Sequence, residues 1–171
     1  SSDVCSSDLA NIETLYGGTG ADSITLADTV SGILVNLGTG LDSITLADGG
    51  NNLTIGNTET ILGGTGDDVI SLGAAASAAG IDLGDGTDTV ILGTGINTVT
   101  LTNVESVTGA AGTDTVVLKS AMTNSESIDL GAGIDRLTLA DGGNAVSLAN
   151  IESITGGSGD DFVTLSAAAA G

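Results

Sequence analysis

The chain lacks most of the residue types on which nucleic-acid binding and histidine-based catalysis depend. Its 171 residues include no histidine, tryptophan or proline, one residue each of cysteine, phenylalanine and tyrosine, and two basic residues. Without histidine, zinc, copper and haem sites lose their usual ligand and enzymes lose their usual general base. Lys119 and Arg136 alone are too few to bind a phosphate backbone, which excludes nucleic acid as a partner. The scarcity of aromatic rings also argues against an ordinary globular core.

Acidic residues, glycine and aliphatic residues dominate what remains. The chain has 22 acidic residues, 28 glycines, a hydrophobic fraction of 40% and a net charge of −20. A disordered acidic tail would not contain so much apolar sequence, so a folded chain is predicted. No apolar run is long enough to predict insertion into a membrane. An oxygen-rich chain of this kind suits a hard cation such as calcium.

The first nine residues differ in character from everything that follows. SSDVCSSDL agrees at all nine positions with the translation of a common sequencing-read adapter, so we predict that residues 1–9 are not native. The native repeat region is then predicted to span residues 10–171. It ends at Ser166–Gly171 in the middle of a repeat, which indicates truncation at the C-terminus.

A repeat of about 46 residues organises the rest of the chain. Asn11, Asn57, Asn103 and Asn150 are separated by 46, 46 and 47 residues, and each has a glutamate two positions later. Such regular self-similarity is typical of solenoids and other repeat architectures.

Short apolar alternations within each repeat predict β-strands. Pairs such as Ile24/Leu26, Val35/Leu37 and Leu53/Ile55 place apolar residues two apart, between turn-forming residues. Four such segments per repeat correspond to two coils, so 3.5 repeats predict about seven coils. Strands this short bury a face only by stacking, about 4.8 Å apart. The predicted fold is therefore all-β, a right-handed parallel β-roll or β-solenoid with a thin aliphatic core.

A glycine-rich hexad ending in aspartate occurs twice in each full repeat. The seven hexads are GGTGAD (17–22), LGTGLD (37–42), GGTGDD (63–68), LGDGTD (83–88), GAAGTD (109–114), LGAGID (130–135) and GGSGDD (156–161). With the strand that follows each, they resemble the G-G-x-G-x-D-x-U-x repeat of RTX, or haemolysin-type, calcium-binding proteins. The resemblance implies a parallel β-roll, with calcium held between stacked loops by backbone carbonyls and aspartate carboxylates.

The residue types favour the same chemistry. Glycine permits a tight turn with uncovered carbonyls, and aspartate is short enough to reach the same point. Stacked aspartates about 5 Å apart repel by roughly 1 kcal/mol in water, which divalent cations would relieve. One hexad per coil predicts metal along one edge only, with at most about six calcium ions between seven hexads. The candidate metal-binding residues are Gly17, Gly18, Gly20, Asp22, Gly38, Gly40, Asp42, Gly63, Gly64, Gly66, Asp68, Gly84, Gly86, Asp88, Asp114, Gly131, Gly133, Asp135, Gly156, Gly157, Gly159 and Asp161.

Several positions depart from the family pattern. Leu37, Leu83 and Leu130 replace the first glycine of three hexads, and hexad 109–114 has two alanines, which resist positive φ. A competing interpretation is that the hexads are turns only, in which aspartate caps its own backbone. Capping or turn roles are also predicted for the Asn11 series and its glutamates, and solvent exposure for Asp67, Asp85 and Asp160.

The resemblance implies a non-catalytic calcium-binding segment of a larger secreted or cell-surface bacterial protein, such as an adhesin or surface-layer protein. Export by a type I secretion system and folding on calcium outside the cell would follow, with calcium and the flanking repeats as partners. A metal-free structural spacer or stalk is the alternative. A third possibility is an ice- or glycan-binding face, based on a partial hydroxyl ladder at Thr25, Thr45, Ser71, Thr138 and Thr164.

Overall fold

The computed structural model describes residues 12–124 and 126–166 in full, together with the backbone of 4–6. Most of the predicted adapter segment lies outside these residues. The described chain forms strands and turns, in two sheets of parallel strands. The first sheet contains β1 (Val4–Ser6), β3 (Ser23–Leu26), β5 (Ser43–Thr45), β7 (Thr60–Thr65), β9 (Ser77–Asp85), β11 (Thr98–Thr102), β13 (Thr115–Leu118), β15 (Arg136–Thr138) and β17 (Ser153–Thr155). The second contains β2 (Thr14–Thr19), β4 (Ser31–Thr39), β6 (Asn52–Gly56), β8 (Val69–Leu72), β10 (Thr89–Ile91), β12 (Ser106–Thr108), β14 (Glu126–Asp129), β16 (Ala145–Ala149) and β18 (Phe162–Leu165).

The strands alternate between the two sheets along the chain, so that two consecutive strands make one turn of a β-solenoid. Each strand pairs in parallel with the strand two places later, as β3 does with β5 and β4 with β6. The register advances by 20 or 21 residues in the long turns and by 17 in the short ones. The predicted all-β parallel solenoid is confirmed.

A single thin aliphatic core lies between the sheets. Inward residues stack on their equivalents in successive turns, as Ile24, Ile44 and Ile61 do in the first sheet. Leu37, Leu83 and Leu130, which replace the first glycine in three hexads, are fully buried in this core. Stacked columns of Ile, Val and Leu therefore form the packed interior, to which aromatic rings contribute in most domains.

The number of turns differs from the sequence prediction because each repeat contains five strands. The second repeat, for example, runs from β7 to β11. The unpredicted strand follows the Asn-x-Glu segment and forms β2, β7, β12 and β17. In β7 it has one inward aliphatic residue, Ile61, before its glycines begin, so no period of two is visible. Each repeat thus makes two and a half turns, and the described chain makes about eight turns, not seven.

Candidate functional site

Two rows of turns connect the sheets, and the hexads are divided between them. The first edge is the row of turns in which the chain passes from the second sheet to the first sheet. The second edge is the opposite row, in which the chain passes from the first sheet to the second. Because a repeat makes two and a half turns, successive repeats present their hexads on opposite edges. Asp22, Asp42, Asp114 and Asp135 lie on the first edge, and Asp68, Asp88 and Asp161 on the second. The prediction that all the hexads lie along one edge was wrong.

Adjacent hexads therefore occur as pairs and not as a row of seven. Hexad 17–22 stacks under 37–42, hexad 63–68 under 83–88, and hexad 109–114 under 130–135. We call these hexad pair 1, hexad pair 2 and hexad pair 3. The count of up to six ions assumed a continuous row, whereas hexads in contact leave only three shared gaps. Hexad 156–161 has no hexad stacked on it in the described chain.

The hexad aspartates belong to ladders of side-chain-to-backbone hydrogen bonds that run along each edge. On the second edge, the N–H groups of Asn51, Asp68 and Asp88 donate to Asp68 Oδ1 at 2.8 Å, Asp88 Oδ1 at 2.8 Å and Glu105 Oε2 at 2.7 Å. The first edge repeats this order as Asn97, Asp114, Asp135 and Glu152. Each aspartate thus caps the equivalent residue of the preceding turn, and not its own backbone as the turn-only interpretation assumed.

Each paired aspartate keeps one carboxylate oxygen without a hydrogen-bond partner. Among the described residues, six buried side-chain oxygens have none, and all six are Oδ2 atoms of hexad aspartates: Asp22, Asp42, Asp68, Asp88, Asp114 and Asp135. The side chains of Asp68, Asp88, Asp114 and Asp135 are completely buried. A buried, unpartnered carboxylate oxygen is costly, because the folded chain does not replace its hydration.

Three turns in the same ladders have asparagine in place of the hexad aspartate, and we call them asparagine turns: they contain Asn51, Asn97 and Asn144. Their contacts show what the aspartate Oδ2 atoms lack. The Oδ1 atom of Asn51 accepts a hydrogen bond from Val30 N–H, as an aspartate Oδ1 does in a hexad. Its Nδ2 group, which occupies the place of an aspartate Oδ2, donates to the carbonyls of Ala47 and Gly49 at 2.8 Å each. Asn97 and Asn144 make the same contacts with the carbonyls four and two residues earlier. A hexad therefore places an oxygen where an asparagine turn places a donor.

The gap within each hexad pair is bounded by backbone carbonyls and glycines. In hexad pair 2, a Cβ atom built on Gly84 would overlap the Gly64 carbonyl oxygen, and one on Gly86 would overlap that of Gly66. These two carbonyls, four and two residues before Asp68, therefore face the next hexad. Hexad pairs 1 and 3 have the same arrangement, including the alanine-containing hexad, whose Ala110 carbonyl faces Gly131.

Hexad 109–114 tolerates its alanines because only one of its residues needs a positive φ. That residue is Gly112, with φ of 152°. Neither Ala110 nor the corresponding Gly64 has a positive φ. The two alanines are therefore compatible with the backbone conformation of this turn.

The atoms available as metal ligands around each gap are oxygens, which suit a hard cation and not a softer metal. Two unpartnered Oδ2 atoms and the two backbone carbonyls of the first hexad that face the second, such as those of Gly64 and Gly66, offer four oxygens of the kinds that calcium takes. No group of three or more histidine, cysteine or acidic side chains converges on a metal position within the described residues. A cation at a hexad pair would accordingly depend on backbone carbonyls as well as on two carboxylates.

Burial and mutual repulsion alter the ionisation of these ladders. Burial raises the pKa of Asp88 to about 6, the hydrogen bond from Asp68 N–H opposes that rise, and the nearby carboxylates of Asp68 and Glu105 add to it. The pKa of Asp135 is raised for the same reasons, with burial as the main cause. Exposed Asp141 differs, because hydrogen bonds from Ser158 N–H and Oγ lower its pKa.

The structure also assigns roles to residues near the hexads. Asn57, Asn103 and Asn150 have positive φ of 53°, 51° and 52°, which confirms their predicted turn role, whereas Asn11 lies outside the described residues. Glu59, Glu105 and Glu152 cap aspartate N–H groups, as predicted. Asp67, Asp85 and Asp160 are exposed, as predicted. Asn51, Asn97 and Asn144 were missed, although each ends a Gly-x-Asn sequence similar to the Gly-x-Asp of the hexads.

The predicted hydroxyl ladder is divided between the two sheets. Thr25, Thr45 and Thr138 lie on the first sheet, whereas Ser71 and Thr164 lie on the second. On the first sheet, Leu62 follows Thr45 in register and Val117 precedes Thr138. The five residues therefore do not form one continuous surface.

Comparison with known proteins finds no matching family model, no similar curated protein and no similar solved structure. Within the part of the chain that the structure describes, no helix is long and apolar enough to cross a membrane.

Proposed function

We propose that the chain is a non-catalytic, calcium-binding structural segment of a larger secreted or cell-surface bacterial protein. The observation that carries the proposal is the contrast between two kinds of turn. Asparagine turns fill the space between two backbone carbonyls with an amide donor, whereas hexads leave an unpartnered Oδ2 atom in the corresponding place. Calcium in a hexad pair would satisfy both Oδ2 atoms at once.

The charge of the chain supports coupling between calcium and folding. Three hexad pairs hold six buried aspartates, and the net charge is −20. Because an ion that binds only the folded chain adds its binding free energy to stability, calcium at these gaps would favour the solenoid. Folding outside the cell after type I secretion, which the RTX resemblance implies, belongs to the same proposal.

The decisive experiment measures binding and folding together. Calorimetric titration of the metal-free chain with calcium should give about three ions per chain, and far-ultraviolet circular dichroism should show a gain of β structure that a chelator reverses. Magnesium serves as the control, because it demands a tighter octahedral geometry and retains its waters. Absence of binding heat, with identical spectra in calcium and in chelator, would refute the proposal.

A metal-free spacer or stalk is the second candidate, and one observation favours it. The ladder hydrogen bonds and the aliphatic core are complete without an ion, as in the bond from Asp68 N–H to Asp88 Oδ1. A spacer would be folded in chelator and would bind no calcium. The same titration therefore separates the two candidates.

A further inference from the structure

Acidic residues outside the ladders are distributed unequally between the two edges. Within the described turns, the acids of the first edge are all ladder residues, and the strand end beside that edge carries one further aspartate, Asp129. The second edge and the strand end beside it carry six further aspartates: Asp28, Asp48, Asp67, Asp85, Asp141 and Asp160. The large exposed aliphatic residues of the turns are Leu41, Ile96 and Ile134, and all three lie on the first edge. The solenoid therefore has one acidic edge and one edge with apolar tips.

This asymmetry has a longer period than the repeat. Two consecutive repeats make five whole turns, so alternate repeats return to the same edge. The residue before the final aspartate is Ala21, Leu41, Thr113 or Ile134 in the first-edge hexads, but Asp67, Thr87 or Asp160 on the second edge. At this position, aspartate thus occurs only in second-edge hexads and large aliphatic residues only in first-edge hexads, whereas threonine occurs on both edges.

We propose that hexad pair 2 is the primary calcium site of this segment and that Asp67 and Asp85 give it that rank. The inference rests on the calcium-binding function proposed above and ranks sites that this function would otherwise leave equal. Hexad pair 2 has the same two buried carboxylates as the other pairs, and the Oδ2 atoms of Asp68 and Asp88 are both buried and unpartnered. It differs in having two more carboxylates beside the gap.

The positions of the two additional aspartates support this role. Asp67 Oδ1 accepts a hydrogen bond of 2.8 Å from Thr87 N–H, so its carboxylate is held across hexad pair 2. Asp85 pairs in register with Thr65 on the neighbouring strand, at a position occupied by Thr39 in hexad pair 1 and Ala132 in hexad pair 3. Both carboxylates are exposed and act on the ion through their charge.

The size of the effect follows from Coulomb attraction. A divalent ion about 8 Å from a unit charge in water gains roughly 1 kcal/mol before screening, equivalent to about fivefold in affinity. Two such charges, each reduced to roughly 0.4 kcal/mol by physiological salt, should make hexad pair 2 about fourfold stronger than the others. Successive pairs lie on opposite edges, so each should fill with little effect on the next.

The test is a calcium titration of the full chain, followed by calorimetry and by amide NMR of the glycines. In the native chain, Gly66 and Gly86 should shift with the first equivalent of calcium, before the glycines of hexad pairs 1 and 3. The double variant Asp67→Asn/Asp85→Asn keeps amide oxygens in place but removes two charges. It should lose about fourfold in the affinity of the first step at physiological salt and leave the later steps unchanged.

The matched control, Glu13→Gln/Asp160→Asn, also removes two charges but lies at least three turns from hexad pair 2. At about 4.8 Å per turn, these positions are beyond the screening length at physiological salt, so the first step should be unaffected. Earlier shifts at hexad pair 1 or 3, or an equal loss in the control, would overturn the ranking while calcium binding itself stands. A chain that binds no calcium would instead refute the proposed function and this inference with it.

Discussion

Asp68 and Asp88 are 20 residues apart in sequence and stand directly above one another on successive turns, with the N–H of Asp68 donating to Asp88 Oδ1 at 2.8 Å. Both side chains are completely buried, and each has an unpartnered Oδ2 atom. The contact between Asp68 and Asp88 therefore combines a stabilising hydrogen bond with the unfavourable proximity of two buried carboxylates. Substitutions at these positions and at their equivalents in other turns separate the two contributions.

Asp88→Asn should stabilise the metal-free protein and weaken calcium binding. The amide keeps Oδ1 as an acceptor for Asp68 N–H, removes a buried charge, and gains a donor that can reach the carbonyls four and two residues earlier, as in Asn97. We expect the free energy of unfolding in chelator to rise by about 1–3 kcal/mol, measured by urea denaturation. Asp160→Asn, an exposed change of the same kind, should alter it by less than about 0.5 kcal/mol. Destabilisation by Asp88→Asn in chelator would show that the negative charge itself holds the turn.

Asn51→Asp tests the same relationship in reverse. The substitution removes an Nδ2 group that donates to Ala47, Gly49 and Asp68, and it brings a carboxylate next to Asp68. Without metal, the free energy of unfolding should fall by about 2–4 kcal/mol. Asn52→Asp is the matched control, because its exposed side chain lies one residue later and should tolerate the charge. Urea denaturation in chelator compares the two variants, and equal losses would contradict the assigned role of Asn51.

The strands could be predicted from the sequence, whereas the placement of the hexads could not. Segments with two inward aliphatic residues, such as Ile24 and Leu26, reveal their period of two and were predicted correctly. The strand containing Ile61 has one such residue before its glycines, so the alternation is hidden. Four strands per repeat return every hexad to the same edge, but five transfer it to the opposite edge. Because this strand is hidden in the sequence, one row of seven hexads was predicted, whereas the structure has three separate pairs.

The ladder partners were equally hard to predict, because they are set by register and not by sequence proximity. Glu59 and Glu105 cap aspartates 17 residues earlier, and that offset exists only because alternate turns are shorter. Asn51 resembles a hexad aspartate in its local sequence but differs in the one atom that distinguishes a satisfied turn from an unsatisfied one. The two residues can be told apart only when their side-chain partners are compared within the same ladder.

Gly84→Ala should disrupt hexad pair 2 through two separate effects. Gly84 has a φ of 86°, and a Cβ atom there would overlap the Gly64 carbonyl oxygen. Gly32→Ala isolates the first effect, because Gly32 has a φ of 76° but open space around it. We expect a loss of about 1 kcal/mol for Gly32→Ala and about 3 kcal/mol or more for Gly84→Ala, measured by chemical denaturation. Similar losses would mean that neighbouring turns separate easily, in which case the close stacking of the hexads is not required.

Mild acid should stabilise the metal-free protein. Because burial raises the pKa of Asp88 to about 6 and also raises that of Asp135, the folded chain binds protons more tightly than the unfolded chain at these positions. Below about pH 4, these carboxyl groups are protonated in both the folded and the unfolded chain and do not lower the free energy of unfolding. As the pH rises from about 4 to about 6, they ionise more readily in the unfolded chain, and stability is lost. The midpoint of thermal unfolding in chelator should therefore be higher at pH 5 than at pH 8. Asp88→Asn removes one of these groups and should flatten the dependence. Stability that instead increased with pH across this window would show that the buried aspartates are more favourable as anions, even without metal.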